Sequence, residues 1–103
     1  MKYRSRLDII AMMLEAVGDG SKKTKIMYEA YLSYRQMGEY LAFLLEKELI
    51  VHDSVREVYR LTDKGRTALS FITDLERLVG VVGRQKVEFK TDQELRARPE
   101  LRQ

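Results

Sequence analysis

Over residues 6 to 17, apolar side chains recur at Leu7, Ile10, Leu14 and Val17, the alternating three-and-four spacing that lines one face of a helix. Ser5 and Asp8 have the spacing of a capping box, in which the serine hydroxyl accepts a helix-start amide and the acid reaches back. The pattern predicts a first helix over Arg6–Val17, stopped at Gly18. Its other side is apolar too, at Ile9, Met12 and Ala16. A surface helix normally carries a polar back. Two apolar faces place this helix between the core and a second element, or a second copy of the chain. On that view Ile9, Met12 and Met13 form an outer surface for the last helix.

The turn Gly18, Asp19, Gly20 is followed by Ser21, the expected N-cap of a short helix over residues 22 to 29. Ile26, Met27 and Ala30 suit its inner side, and Lys22, Lys23 and Lys25 its outer side. Ser33 and Gln36 then make a second capping box, and Tyr34, Met37, Leu41, Leu44 and Leu45 keep helical spacing to about residue 48. Two helices separated by so few residues predict a helix-turn-helix. Next the period shortens. Ile50 and Val51 begin an extended segment, Asp53 and Ser54 supply turn chemistry, and Val55, Val58, Tyr59 and Leu61 form a β-rich run. In a strand, Tyr59 and Leu61 share one face, and Val58 and Arg60 the other. Three helices followed by a small hairpin are the winged-helix order, a mainly helical α+β fold.

Thr62 is placed to cap a last helix, in which Ala68, Ile72, Leu75, Val79 and Val82 step by four, three, four and three. Leu69, Phe71 and Leu78 widen this seam, and Arg66, Ser70, Thr73, Asp74 and Arg77 face water. Spanning residues 63 to 82, the helix would be about 30 Å long, more than so small a domain needs to cover its core. Burying each such Leu, Ile or Val is worth roughly 1.5 to 3 kcal/mol before entropy is subtracted. The stripe is therefore expected to pair with the same helix of a second chain, in a two-fold homodimer. Residues 84 to 103 hold six basic and four acidic residues and one proline, Pro99, and read as a charged tail. The expected organisation is a winged-helix domain over 1–62, a coiled-coil helix over 63–83 and the tail over 84–103.

At 103 residues the chain is the size of one domain with one core. Hydrophobic residues make up 45% and charged residues 34%, with 19 Lys and Arg against 16 Asp and Glu. The net charge of +3 is compatible with DNA without demanding it. No cysteine is present, which excludes disulfides and thiolate metal sites and fits a reducing cytoplasm. No apolar run approaches the roughly 20 residues of a membrane span, so no membrane partner is expected.

Catalytic chemistry is scarce. His52 is the single histidine, so a metal site would have to gather scattered carboxylates. Gly18 and Gly20 flank an aspartate and lack the lysine and hydroxyl of a phosphate loop. No serine has a triad context, and Glu46 and Glu48 sit on a solvated helix end. No enzyme activity, cofactor, metal or small-molecule ligand is expected.

The cluster at the helix break carries the functional signal. Lys22, Lys23 and Lys25 stand where helix-start amides and the helix dipole favour an anion, and phosphate contacts there would orient a duplex. On the next helix, Ser33, Tyr34, Arg35 and Gln36 occupy the front end that a helix-turn-helix presents to base edges. Arg can bond guanine O6 and N7, and Gln adenine N6 and N7. The plainer alternative is a solvated lysine face, with Tyr28, Tyr31 and Tyr34 closing the seam between helices. Glu39 is an adverse charge on the reading face. Arg56 at the hairpin tip either holds a second phosphate or pairs with Glu57 or Asp53.

The run "KTKIMYEAYLSYRQMGEYLAFLLEKELI", followed by "YRLTDKGRTAL", resembles a family of small archaeal winged-helix DNA-binding proteins that dimerise through an antiparallel coiled coil of their last helices. The resemblance covers residues 5 to 79. Its most specific pieces are residues 23 to 28 with the Leu32, Ser33, Tyr34 turn, and Leu61, Thr62, Lys64 and Gly65 at the start of the final helix. It implies a reading head, a wing at residues 53 to 56, and a dimer through residues 68 to 82. Gly80 and Gly83 interrupt the seam, each costing roughly 1 kcal/mol of helix propensity against alanine, so the coil is expected to be short. The functional expectation is a homodimer on double-stranded DNA, as transcriptional regulator or chromatin protein. The rival is a winged-helix protein-interaction module without direct DNA binding, favoured by the low net charge and by Glu39, Glu46 and Glu48.

Overall fold

The computed structural model describes residues 4–80. Its elements are α1 (Arg6–Val17), α2 (Lys23–Glu29), α3 (Tyr34–Glu46), β1 (Ile50–Asp53), β2 (Val58–Leu61) and α4 (Asp63–Val79). This is the mainly helical α+β winged-helix arrangement, with β1 and β2 antiparallel and Ile50 opposite Leu61.

Both capping boxes form. The Ser5 hydroxyl accepts from the Asp8 amide at 3.0 Å while the Asp8 carboxylate accepts from the Ser5 amide at 3.1 Å. Ser33 and Gln36 repeat the exchange at 3.1 Å each way. The Thr62 hydroxyl caps α4 through the Gly65 amide at 2.9 Å. Each cap satisfies a donor that the helix leaves unpaired.

Ser21 does not cap α2. Its hydroxyl donates to the carbonyls of Ala16 and Val17 at 2.8 and 3.1 Å, and its backbone exchanges two hydrogen bonds with Tyr59 at 3.0 and 2.8 Å. The side chain is thereby committed to the end of α1 and the backbone to the edge of β2, so extended Lys22 becomes the N-cap without a capping side chain.

The core is built from Met13, Leu14 and Val17 of α1, Ile26 of α2, Met37 and Leu44 of α3, and Ile50 of β1, all fully buried. The two-faced α1 packs on α2 on one side and on α4 and β2 on others. Ile9, Met12 and Met13, expected as an outer surface, are accordingly buried within the chain's own core, while Leu7, expected inside, is 49% exposed. In this first turn it is the Arg6 guanidinium, not Leu7, that meets α3, 5.6 and 5.7 Å from the Tyr40 and Phe43 ring centres. Leu45 and Tyr34, counted in the α3 stripe, are exposed as well, and Met37, Leu41 and Leu44 alone make the buried ridge.

Two helix ends close by the same device. After α2, the Leu32 amide donates to Met27 and the Tyr31 amide to Tyr28, with Tyr31 at φ 54°. After α3, Leu49 donates to Leu44 and Glu48 to Leu45, with Glu48 at φ 62°. These paired bonds define the Schellman closure, whose left-handed residue is usually glycine.

α4 ends at Val79, three residues earlier than its spacing predicts, because Gly80 adopts a left-handed cap at φ 71°. Ala68 and Leu69 pack against the core, so the first half of α4 belongs to the domain. Ile72 is half-buried, and Phe71, Leu75, Leu78 and Val79 are exposed. Val82 and the tail over 84–103 lie outside the described residues.

Candidate nucleic-acid interface

The first turn of α2 and the front of α3 form one surface. The Lys23 ammonium lies 5.8 Å from the centre of the Tyr34 ring, within cation–π range. Lys22, Lys25, Ser33 and Arg35 are exposed around this contact, and Gln36 is half-buried.

The cations there differ in their freedom. Lys25 pairs with Glu29 at 3.6 Å and Arg35 with Glu39 at 3.5 Å, each within one turn of its helix. Exposed pairs of this kind are worth roughly 0 to 1 kcal/mol, so a phosphate can displace the acid. Among the described residues neither Lys22 nor Lys23 forms an ion pair. Gln36 is constrained: its side-chain oxygen accepts from the Ser33 amide. A bidentate contact to adenine uses that oxygen as well as the amide nitrogen, so Gln36 would have to share the oxygen with the Ser33 amide through its second lone pair.

The turn between the two helices is held from outside by Arg4. One guanidinium nitrogen donates to the Ala30 carbonyl at 2.7 Å and to the Met12 sulfur at 3.1 Å, and the other donates to the Tyr31 carbonyl at 2.7 Å. The cation thus satisfies carbonyls at the C-terminal end of α2, where the helix dipole favours positive charge.

The hairpin is braced by Asp53. One carboxylate oxygen accepts from the amides of Val55 and Arg56 at 3.0 and 3.1 Å; the other accepts from Arg60 at 3.0 and 3.3 Å. Arg60 also donates to the Asp19 carbonyl at 2.6 Å, tying the wing to the loop after α1. Gly20, at φ 148°, leaves room for this guanidinium: a β-carbon there would stand 3.3 Å from it. The Arg56 amide and the Arg60 side chain, together with the Val55 amide, hold the Asp53 carboxyl below its ordinary pKa. Asp53 is thus taken by Arg60, and the exposed Arg56 side chain has no ion pair among the described residues.

Arg4 and Arg60 were not legible as site residues. Their partners lie 26 to 27 and 41 residues away for the main-chain contacts that matter, and no short-range spacing marks such pairs. Among the described residues no group of three His, Asp or Glu side chains could hold a metal ion, and no helix is long and apolar enough to cross a membrane.

A capped third helix, a short basic second helix beside its front end and a braced hairpin together define a winged helix-turn-helix. The chain belongs to the winged helix-turn-helix family, which matches residues 3–80. It is 39% identical over 77 residues to the uncharacterized protein MJ0290 of Methanocaldococcus jannaschii, covering 74% of this chain and 36% of that protein. A second protein of the same organism, MJ0287, is 32% identical over 73 residues, covering 70% of this chain and 73% of the relative. The chain therefore spans about a third of the first relative's length and about three quarters of the second's. Among solved structures it is similar to Sso10a-2, a DNA-binding protein from Sulfolobus solfataricus, with a TM-score of 0.65 at 22% identity, over 75% of this chain and 83% of that one.

Proposed function

We propose that this chain binds double-stranded DNA as a cytoplasmic homodimer, acting as a transcriptional regulator or a chromatin-associated protein. The observation that carries the proposal is the Lys23–Tyr34 contact, which makes the lysines of α2 and the front of α3 a single basic surface. Family membership and the likeness to a DNA-binding protein support it. Lys22, Lys23, Lys25 and, on the wing, Arg56 hold phosphates; Ser33, Tyr34, Arg35 and Gln36 enter or border the major groove. Gln36 contributes its amide donors there while its oxygen stays in the capping box. Dimerisation is assigned to α4 through Ile72, Leu75 and Val79, continued toward Val82, with Ala68 shared between the core and the seam. The exposure of Leu75 and Val79 in the single chain supports that assignment.

The test is a titration against random duplex at several salt concentrations. If eight phosphates are neutralised per dimer, affinity falls by about 10³ to 10⁵ between 50 and 200 mM salt. Lys22→Glu with Lys23→Glu should abolish the duplex shift and leave the mass in solution unchanged. Duplex binding that survives this double change overturns the phosphate assignment.

A protein-interaction module is the second reading, favoured by the Arg35–Glu39 and Lys25–Glu29 pairs that neutralise two cations on the same surface. It requires a folded dimer with no salt-dependent affinity for duplex, which the same titration detects.

A further inference from the structure

We infer that the corner between α2 and α3 is also a site for single-stranded DNA, gripped by stacking of unpaired bases on tyrosine rings. Tyr28, Tyr31 and Tyr34 fall within seven residues and are 80%, 44% and 77% exposed, so none of the three is used to fill the core. Tyr28 and Tyr34 leave most of their surface to solvent, while Tyr31 is more than half covered. Scattered exposed apolar residues are ordinary; three aromatic rings around one tight turn, one of them met by an ammonium, are a concentration of planar faces.

The charge beside them selects the occupant. The Lys23 ammonium lies over the Tyr34 ring, and Lys22 and Lys23 have no acidic partner among the described residues. A ligand for this corner carries negative charge at short, repeated intervals and offers flat apolar faces between the charges. Single-stranded DNA has that chemistry. Duplex DNA does not offer its base faces, which are stacked on one another, whereas aromatic residues next to cations are the usual platform for unpaired strands.

The platform is held in place. Arg4 bonds the Ala30 and Tyr31 carbonyls, which fixes the backbone from which Tyr31 projects, and the Ser33–Gln36 box fixes the backbone of Tyr34. Little ordering is then left to be done when a strand binds. The inference shares Lys22, Lys23 and Tyr34 with the proposed duplex surface but uses ring faces rather than base edges, so Tyr28 and Tyr31 are the residues that separate the two.

The chain contains six tyrosines and no tryptophan, so its intrinsic emission reports stacking directly. Full-length protein is titrated with oligo(dT), and in parallel with a duplex of equal length, following both tyrosine quenching and affinity. Oligo(dT) should quench strongly and the duplex weakly. Tyr28→Leu and Tyr31→Gly should each weaken oligo(dT) binding by between about 5- and 150-fold, with Kd for the duplex moving less than the Kd for oligo(dT), whereas Tyr34→Leu, at a residue of the proposed duplex surface, should weaken both. Tyr31→Gly also serves as the folding control, because glycine is relaxed at a left-handed φ and the variant should melt no lower than the parent. Oligo(dT) affinity that depends on Lys22 and Lys23 but not on the rings overturns the inference and leaves the duplex proposal standing. The reverse, ring-dependent oligo(dT) binding without a duplex complex, upholds it while removing that proposal. Absence of oligo(dT) binding, or tighter binding to oligo(rU), overturns it as well.

Discussion

Gly65 in α4 and Leu49, the residue before β1, meet backbone against backbone: a β-carbon at position 65 would collide with the Leu49 carbonyl oxygen. That oxygen is already engaged by the Thr62 amide at 3.1 Å, so it has nowhere to retreat. The contact sets how closely the last helix approaches the hairpin. Gly65→Ala should therefore destabilise the fold by about 2 kcal/mol or more through overpacking, although alanine favours an isolated helix by roughly 1 kcal/mol. A urea-unfolding midpoint that rises would show that α4 does not rest on Leu49.

Asp53 makes stability depend on pH. Its native pKa is lowered, chiefly by the Arg56 amide and then by Arg60, so the folded state holds its proton less tightly than the unfolded chain. The contribution is fully present above the ordinary aspartate pKa of about 3.9 and is lost as pH falls through the lower native value. Asp53→Asn should flatten this part of the melting-temperature profile. An unchanged acid limb in that variant would mean that other carboxylates carry it.

Arg4→Met should lower stability by about 1 to 3 kcal/mol, since it leaves the Ala30 and Tyr31 carbonyls without their charged donor. Arg4→Lys should recover only part of the loss, because an ammonium lacks the planar fork that reaches two carbonyls at once. Equal unfolding midpoints for the lysine variant and the parent would show that charge alone suffices.

Ser33→Ala removes one half of the reciprocal cap on α3 and should cost about 1 kcal/mol in denaturant unfolding. The Ser33 amide, from which the Gln36 oxygen accepts, is retained in this variant, so the loss reports the hydroxyl alone. An unfolding midpoint equal to the parent's would show that the hydroxyl does not hold the start of α3.

Leu75→Glu places a charge on the exposed seam of α4 and is expected to shift the mass in solution from dimer to monomer. Because Leu75 is exposed in the single chain, the melting of the monomer should change by less than about 0.5 kcal/mol. A dimer that persists would move the assembly surface away from α4.

Much of the fold was legible because its determinants are local. Ser5 with Asp8, Ser33 with Gln36, and Thr62 before Gly65 lie within one helical turn of their partners, and the hairpin follows from a change of period. The candidate site was legible only as residue types. Lys22 and Lys23 could be named as cations, but the placement of Lys23 over Tyr34 depends on how α2 meets α3. Ser21 shows the limit of local spacing: a good N-cap by position, it was drawn instead to Tyr59 and the end of α1.

The chain's own order of apolar and polar residues determined the four helices and the wing, since these rest on interactions between neighbours in sequence, whereas α4 stops at Gly80, before its apolar spacing ends. Tertiary packing decided which side of α1 is buried, which carboxylate Arg60 takes, and that Arg4 closes the turn beneath Tyr31. Those outcomes follow from contacts between residues far apart along the chain, where burial and hydrogen-bond satisfaction choose among partners that spacing alone leaves equivalent.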